Sequence, residues 1–325
     1  MKEQENREKS YKIQLLRGLA ILAVVFFHNT PGGKWSVVFR PFLNFSVGMF
    51  LFLSGMLSSA QKWNPQKRIR KVIIPYILWT LIYVVLYNIK TLQAVPQVFL
   101  TALVKGDAAA MMYYVFVYCE FTLLIPMIDK LARSKYKYVG FIIMPAEIIL
   151  MRLGPMLIGY QIGGGLKAIM HVSCMGWFTY FYLGYLLGNN LLQPRMKERN
   201  LIFALGGSIV LQVLEGLLYL SFGNANCGTQ LKLSAVLTGA VVILLAYRFI
   251  ESDKKVDIKW IEILGNYSFG IYFSHIAVMW ALGHLENYTR FVCYPFNALF
   301  VTAVSLICVS LGRQLLGKYA KYLAL

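Results

Sequence analysis

The sequence predicts an all-α fold, a polytopic membrane helical bundle of about ten transmembrane helices with the N- and C-termini in the cytoplasm. Composition is the first observation behind this prediction: 58% of the 325 residues are hydrophobic and 14% are charged, whereas a soluble domain carries about 25% charged residues. The mean hydropathy of +0.59 is the second. So apolar a chain has too little polar surface for a soluble globular protein or a nucleic-acid-binding domain. It is also too hydrophobic for a disordered chain.

Apolar runs recur along the whole chain, and each is read as one span. A helix that crosses the hydrocarbon core needs about 20 apolar residues, and ten such spans use about 200 of them. Only loops and tails remain, so we expect a single membrane domain over 1–325. The fifth and eighth spans are short and borrow flanking residues. The predicted spans are 13–33, 41–61, 72–89, 108–128, 138–153, 168–190, 200–222, 231–250, 261–283 and 291–312.

The orientation follows from the positive charges. With the N-terminus inside, 24 of the 32 Lys and Arg residues fall in inner segments and 8 in outer ones. Positive charge is retained on the cytoplasmic side, and an even number of spans returns the C-terminus to that side. The net charge of +18 is therefore mainly a topology signal, with anionic membrane lipids as its partners and no nucleic acid. The stretch before residue 13 has no cleavage pattern, so the first span is expected to stay as an anchor.

The cysteines and glycines suggest structure more than chemistry. The five cysteines lack metal-ligand or CxxC spacing, so we expect no metal site and no redox motif. Cys227 and Cys293 both lie near the outer face, and a disulfide between them is left open. Gly184 and Gly188 form a small-xxx-small pair in the sixth span, which is typical of close helix packing.

Ionisable side chains within apolar spans are costly and mark candidate functional sites. They are His28, Glu120, Glu147, His171, Glu215 and His275, with Arg17 at the inner end of the first span. Among them, Arg17 and His28 are the informative pair. Eleven steps of about 100° place His28 on the same helix face as Arg17, roughly 16 Å farther along the axis. The alternative is an interfacial arginine and an incidental histidine at the outer boundary.

A basic cluster precedes the third span, in the sequence QKRIRKVIIPY (66–76). It contains Lys67, Arg68, Arg70 and Lys71, with Lys62 just before it. One interpretation is the positive-inside anchor of the span. The other is a phosphate-binding site, since arginine presents planar paired donors to phosphate oxygens. The two interpretations are compatible.

Five segments carry a resemblance to a known family. RGLAILAVVFFH (17–28) resembles the first-span Arg/Lys-x10-His motif of the membrane acyltransferase type 3 family, and FLFLSGMLSS (50–59) resembles its second span. KRIRKVIIPY (67–76) and YYVFVYCEFTLLIP (113–126) are similar to its third and fourth spans. LGNYSFGIYFSH (264–275) is similar to its late Gly-x-Tyr-Ser-x-x-x-Tyr-x-x-His segment. Gln14 departs from the pattern, because many members have aspartate there.

The resemblance implies an integral membrane O-acyltransferase. Such enzymes take an acyl group, often acetyl, from cytosolic acyl-CoA and pass it to a hydroxyl of a cell-envelope carbohydrate or lipid-linked sugar, in bacteria at the plasma membrane. His28 is then the catalytic base and Arg17 its first-span partner. Arg68 and Arg70, with Lys67 and Lys71 beside them, bind the donor. We expect acyl-CoA (acetyl-CoA) as a substrate and no tightly bound cofactor.

The other ionisable groups have two readings each. Glu120 either orients His28 or the acceptor hydroxyl, or is a hydrogen-bonded carboxyl within the span. His275 follows Tyr272 by three positions on one face, which fits either a catalytic role or a structural hydrogen bond. Glu147, Glu215 and His171 have no recognisable companions and are left as packing or cavity-lining groups.

Two other functions stay open at this point. A multi-pass transporter or exporter of a small polar solute or envelope glycan also needs buried charges, although no inverted repeat is visible. A non-catalytic subunit of an envelope assembly would need no Arg17–His28 pair.

Overall fold

The computed structural model describes residues 2–285, 288 and 293–325, and these ranges contain helices and loops with no β-strand. Within them, seven helical segments are long and apolar enough to cross a membrane. The chain is therefore an integral, multi-pass membrane protein, and the predicted all-α fold class is confirmed. The seven segments are Arg7–Asn29, Lys34–Met56, Pro65–Tyr87, Lys137–Ile158, Glu198–Ser221, Leu233–Glu251 and Phe296–Leu323.

The first helix is unbroken for 28 residues, which is about 42 Å at 1.5 Å per residue. It is longer than the hydrocarbon core, so it reaches beyond the core at one or both ends. The α-helices of the described residues are α1 (Lys2–Asn29), α2 (Lys34–Phe39), α3 (Ser46–Met56), α4 (Pro65–Tyr87), α5 (Val95–Lys105), α6 (Tyr113–Arg133), α7 (Ile143–Ile148), α8 (Gly154–Ile158), α9 (Gly164–Val172), α10 (Phe178–Gly188), α11 (Glu198–Ser221), α12 (Leu233–Glu251), α13 (Lys259–Asn266), α14 (Ser268–Gly283) and α15 (Phe296–Leu316).

The fifth predicted span is an interrupted helix. A 3₁₀ helix (Lys137–Phe141) precedes α7, and a π-helical turn (Ile149–Leu153) joins α7 to α8. Pro145 and Pro155 lie in the first turns of α7 and α8. Proline has no backbone N–H to donate, so a helix tolerates it only where no hydrogen bond is lost, as in a first turn. The two prolines therefore divide this apolar stretch into short helical pieces.

Two further predicted spans are also divided. The sixth consists of α9, a 3₁₀ helix (Cys174–Trp177) and α10, because Ser173 adopts an extended conformation that ends α9. The ninth consists of α13 and α14, which are separated at Tyr267. The count of ten spans stays a prediction. In the last of them, residues 291–292 lie outside the described residues, as does Arg290.

The chain divides into two compact units. The first contains Met1–Lys62, Ile125–Ile162 and Met175–Asn266, and the second contains Trp63–Leu124, Gly163–Cys174 and Tyr267–Leu325. Helix α1 belongs to the first unit, whereas α4 and α14 belong to the second. The single membrane domain expected over 1–325 stays a prediction.

In the first unit, α1 and α13 touch backbone to backbone. A Cβ atom on Gly18 would lie 2.1 Å from the carbonyl oxygen of Ile261, and one on Gly265 would lie 2.0 Å from that of Gln14. No side chain fits at either glycine. Such contacts let dispersion forces hold helices together where lipid offers no hydrophobic gain.

The same device joins α3 to α10. A Cβ on Gly184 would lie 2.2 Å from the carbonyl oxygen of Phe52, and one on Gly188 would lie 2.1 Å from that of Met56. Gly55 of α3 approaches the carbonyl oxygen of Phe181 to the same degree. The prediction that Gly184 and Gly188 serve helix packing is confirmed.

The five cysteines are free thiols, so the disulfide left open between Cys227 and Cys293 is not formed. Cys227 is fully buried in the first unit, where its Sγ lies 3.4 Å from Ser36 Oγ. It packs with Val37 and Tyr219 as a small apolar side chain.

Replacing Gly184 by alanine is expected to destabilise the first unit. The added methyl group would overlap the backbone of α3, and overpacking of this kind costs about 1–3 kcal/mol. The measurement is thermal unfolding of the purified protein in detergent, where Gly184→Ala should lower the Tm.

The matched control is Gly206→Ala in α11, where an added Cβ meets nothing within 4 Å. Alanine is the better helix former, so this variant should unfold at the wild-type temperature or slightly above it. Equal Tm values for Gly184→Ala and the wild type would contradict the packing role of Gly184.

Candidate functional site

The start of α4 gathers positive charge at a helix N-terminus. Asn64 caps the helix by accepting a hydrogen bond from the backbone N–H of Lys67 (3.1 Å), and Pro65 occupies the first turn. No acidic residue lies in that turn. The helix dipole already favours anions at this end. Cations added there increase the preference, so the start of α4 is suited to bind an anion.

Helical spacing decides which of these cations face one side. Lys67, Arg70, Lys71 and Ile74 follow the i, i+3, i+4, i+7 pattern, which places them on one face. All four line a cavity of about 860 Å³ in the second unit. Arg68 lies about 100° around the helix from Lys67. It is half-buried and is not among the residues of this cavity. The structure therefore brings three of the four predicted donor-binding residues together.

The cavity carries four cationic side chains and, among its described lining residues, no aspartate or glutamate. Its volume falls within the range of about 300–1,000 Å³ that is usual for small-molecule sites. It is lined by Asn64, Gln66, Lys67, Arg70, Lys71, Ile74 and Pro75 of α4 and its cap, by Phe269, and by Lys321, Tyr322, Ala324 and Leu325. The sequence analysis did not predict a role for the last four residues at this site. It used Lys321 only as one of the positive charges that indicate membrane orientation.

In the first unit, Arg17 lines a separate cavity of about 620 Å³. Lys9 and Glu251 also line it and form an ion pair at 3.0 Å. Gln14 and Tyr247 add polar groups to its wall. The first-span arginine is therefore accessible from a polar cleft rather than enclosed by apolar side chains.

His28 lies eleven residues farther along the same helix, and it is half-buried. Because α1 is unbroken from Lys2 to Asn29, the predicted alignment of Arg17 and His28 on one face is confirmed. The ring of His28 meets the ring of Phe27 edge to face, with centroids 5.5 Å apart. The Arg40 guanidinium lies 4.2 Å from the Phe27 ring centroid and donates from Nε to Thr30 Oγ1 (2.7 Å). The Arg40 cation thus lies close to this end of α1.

His275 is completely buried in α14 of the second unit. Its Nδ1 lies 3.0 Å from the carbonyl oxygen of Ile271 and 2.7 Å from that of Tyr272. Carbonyl oxygens only accept, so Nδ1 carries the proton and Nε2 bears the lone pair in the neutral ring. The Tyr272 hydroxyl donates to the carbonyl oxygen of Met111.

Glu120 lies on α6 and is half-buried. Its Oε2 accepts a hydrogen bond from the backbone N–H of Cys174 (2.6 Å), which begins the 3₁₀ helix after α9. One carboxylate oxygen is therefore engaged in holding that turn. His171, at the end of α9, packs its ring 5.6 Å from that of Tyr113 on α6.

Glu215 and Lys232 have structural roles in the first unit. Glu215 accepts hydrogen bonds from the backbone N–H groups of Leu233 (3.1 Å) and Ser234 (2.8 Å), so it caps α12. Lys232 is fully buried and donates to the carbonyl oxygens of Gln212 (3.0 Å) and Cys227 (3.1 Å). Glu147 is also buried, beside Gly176. None of these roles was readable from the sequence, because each depends on packing between segments distant along the chain.

A sequence model of an acyltransferase domain of type 3 matches residues 10–312, which is nearly the whole chain. The matched range includes α1 from residue 10 onward, with Arg17 and His28, the basic start of α4, and α14 with His275. No curated protein and no solved structure matches the chain.

Tyr83 ties α14, the helix that carries His275, to α4. Its hydroxyl donates to the carbonyl oxygen of Phe273 (2.7 Å) and accepts from the backbone N–H of Ala277 (3.0 Å). Tyr83→Phe would remove the hydroxyl that links the two helices, while the carbonyl oxygen of Phe273 and the N–H of Ala277, four residues apart in α14, pair with each other as in any α-helix. The expected cost is about 0.5–1.5 kcal/mol. Thermal unfolding should therefore show a lower Tm for this variant.

Tyr87→Phe provides the comparison, since Tyr87 lies one turn along the same helix and is 44% exposed. Its Tm should match that of the wild type. If both variants unfolded at the same temperature, the hydrogen bonds of Tyr83 between α4 and α14 would not contribute to the stability of the folded protein.

Proposed function

Because the chain belongs to the type 3 family of membrane acyltransferases, we propose that it is an O-acyltransferase of the cell membrane, in a bacterium the plasma membrane. It moves an acyl group, acetyl in the simplest case, from a cytosolic acyl-CoA to a hydroxyl of a cell-envelope carbohydrate or a lipid-linked sugar. The observation that carries this proposal is the match of the family domain to residues 10–312. Two further features support it: the basic cavity, and the stripe on α1, which is the helix face that carries Arg17 and His28.

The basic cavity supports a polyanionic donor. Coenzyme A carries three phosphate groups, and Lys67, Arg70 and Lys71 present their cations on one wall of a cavity that is large enough for a small molecule. The predicted topology places this wall on the cytoplasmic side, where acyl-CoA is found. Arg68 remains in the proposal as a cation next to the cavity that adds to its positive potential.

The stripe on α1 supports transfer across the membrane interior. Arg17 lies in a polar cleft, and His28 lies roughly 16 Å farther along the same face. The pantetheine arm of acyl-CoA is an extended chain, so its thioester lies far from the phosphates. An extended arm that runs along α1 would bridge the distance between Arg17 and His28.

The chemistry then needs a base and a stabilising positive charge. Neutral His28 removes the proton from the acceptor hydroxyl as its oxygen attacks the thioester carbonyl carbon. A C–O bond forms, the C–S bond breaks, and the proton on His28 passes to the leaving thiolate to give free coenzyme A. The developing oxyanion is stabilised by nearby cations or donors in a partly dry site. Arg17 contributes positive potential along the stripe.

Glu120 and His275 are second candidates in the same reaction. His275 presents an unprotonated Nε2 in its neutral form, as a proton acceptor requires. Glu120 uses one oxygen on the N–H of Cys174, which leaves the other for an acceptor hydroxyl or a histidine. Their hydrogen bonds equally fit the structural reading, so activity of Glu120→Gln and His275→Ala separates the two.

His28→Ala is expected to abolish acyl transfer, because removal of a general base costs about 10²–10⁴ in rate. The variant should still insert and fold, since His28 is only half-buried at the end of α1. The measurement is transfer of radiolabelled acetyl from acetyl-CoA to envelope glycan in membranes, with the amount of inserted protein quantified.

The control is His284→Ala, at the exposed end of α14, which should retain wild-type transfer. Undiminished transfer by His28→Ala would remove His28 from the mechanism.

Arg70→Gln is expected to raise the KM for acyl-CoA about tenfold and to leave kcat near the wild-type value. A charge-assisted hydrogen bond contributes about 1.5–3 kcal/mol, and this one is made equally in the ground and transition states. Lys62→Gln is the matched control, since Lys62 is exposed and is not among the lining residues of the cavity. A lower kcat with an unchanged KM would contradict a donor-binding role for Arg70.

Mass spectrometry of envelope glycans from cells with and without the gene identifies both the ester and its carrier. The same samples separate the enzyme from an exporter: loss of an ester on an otherwise unchanged glycan supports the enzyme, whereas loss of the glycan itself supports export. A His28→Ala strain should reproduce the loss of the ester alone.

A further inference from the structure

The segment 317–325 forms one wall of the basic cavity in the second unit. It contains two Lys-Tyr pairs, three residues apart. In each pair the ammonium lies over the neighbouring ring, at 5.3 Å for Lys318 over Tyr319 and 5.1 Å for Lys321 over Tyr322. Lys321 and Tyr322 line the cavity, whereas Lys318 and Tyr319 are not among its lining residues. The two pairs are alike in chemistry and differ in where they point.

The position of this segment is fixed by buried groups. Trp79 of α4 is 8% exposed, and its Nε1 donates to the carbonyl oxygen of Leu323 (2.9 Å). The Trp79 ring stacks on the ring of Phe273 in α14, with centroids 6.2 Å apart. The backbone N–H of Leu325 donates to the carbonyl oxygen of Ala320 (3.1 Å). The segment is therefore held against α4, with Lys321 in the same cavity as the cations of that helix.

The completed cavity has three kinds of surface. Lys321 adds a fourth cation to the three of α4, while Ile74 and Phe269 provide apolar surface. Tyr322, 39% exposed, provides an aromatic ring. A volume of about 860 Å³ far exceeds that of a phosphate ion alone. Cations beside an aromatic ring are the usual elements of a site for a nucleotide, because phosphates pair with the cations and the base stacks on the ring.

We propose that segment 317–325 is part of the donor site, where Lys321 binds a phosphate of the donor nucleotide and the Tyr322 ring stacks on its adenine. This rests on the proposed function, which supplies acyl-CoA as the donor, and it adds a specificity element outside the five segments that resemble the family. Recognition of the nucleotide by this segment would let the protein discriminate between an acyl-CoA and a shorter acyl thioester that lacks adenine and phosphates.

The experiment measures binding and transfer separately, on the full chain in nanodiscs of phosphatidylcholine. Titration calorimetry with coenzyme A gives the Kd of the wild type, Lys321→Gln, Tyr322→Ala and Tyr322→Phe. Loss of one charged contact or one stacked ring should weaken binding about tenfold. Tyr322→Phe keeps the ring and should bind like the wild type.

Lys318→Gln and Tyr319→Ala are the matched controls, with the same residue types in the same segment, and their Kd should stay within about twofold of the wild-type value. Equal weakening by both pairs, or no weakening by Lys321→Gln and Tyr322→Ala, overturns the inference. Acetyl-pantetheine, a donor without the nucleotide, should be used equally well by the wild type and Tyr322→Ala. A selective loss with acetyl-CoA supports the inference.

The remaining outcomes distinguish the inference from the function on which it rests. Coenzyme A binding that depends on Lys321 and Tyr322, without any acyl transfer, supports the site and removes the proposed reaction. Transfer that is indifferent to both residues supports the reaction and removes the site. Repeating the titration in nanodiscs that contain phosphatidylglycerol tests whether a lipid headgroup is the source of the phosphate. If the variants change the binding of phosphatidylglycerol but leave the Kd for coenzyme A unchanged, the cavity is a lipid-headgroup site and the inference is overturned.

Discussion

Direct backbone contact between helices is the constraint on which the first unit depends. In a bilayer, lipid is as apolar as the helix surface, so helices associate by close packing rather than by escape from water. Gly18 and Gly265 bring α1 against α13, and Gly184 brings α10 against α3. Since α1 carries both Arg17 and His28, these contacts also fix the helix on which the proposed chemistry depends.

Charge has two roles in this chain, and both come from the same residues. By the positive-inside rule, Lys67, Arg70 and Lys71 favour the cytoplasmic side for the start of α4. Their helical spacing also turns them into one wall of a cavity, which Lys321 joins from segment 317–325. Two segments that the sequence predicts to be cytoplasmic thus line one cavity within the second unit.

The sequence predicted what depends on local spacing. Fold class followed from composition and apolar runs, and the shared face of Arg17 and His28 followed from helical periodicity. Pairings between distant segments were out of reach: the capping of α12 by Glu215, the hydrogen bond from Cys174 to Glu120, and the arrival of Lys321 at the start of α4. Pro145 and Pro155 are visible in the sequence and signal helix breaks. Hydropathy averaged over a whole span does not register them, so the sequence analysis predicted one continuous span there.

The broken helix over residues 137–158 has a consequence for biogenesis. Its mean hydropathy of 1.8 is sufficient for insertion by the translocon, which responds to apolar content. Its π-helical turn and 3₁₀ piece keep their backbone groups paired, but with a poorer hydrogen-bond geometry than an α-helix has, so packing against neighbouring helices has to support them. We therefore expect this segment to enter the bilayer as a plainer helix and to acquire its bends only once neighbouring helices have assembled around it. Maturation of the protein then has two stages: insertion of the segment into the membrane, followed by bending of its helix as the neighbouring helices pack around it.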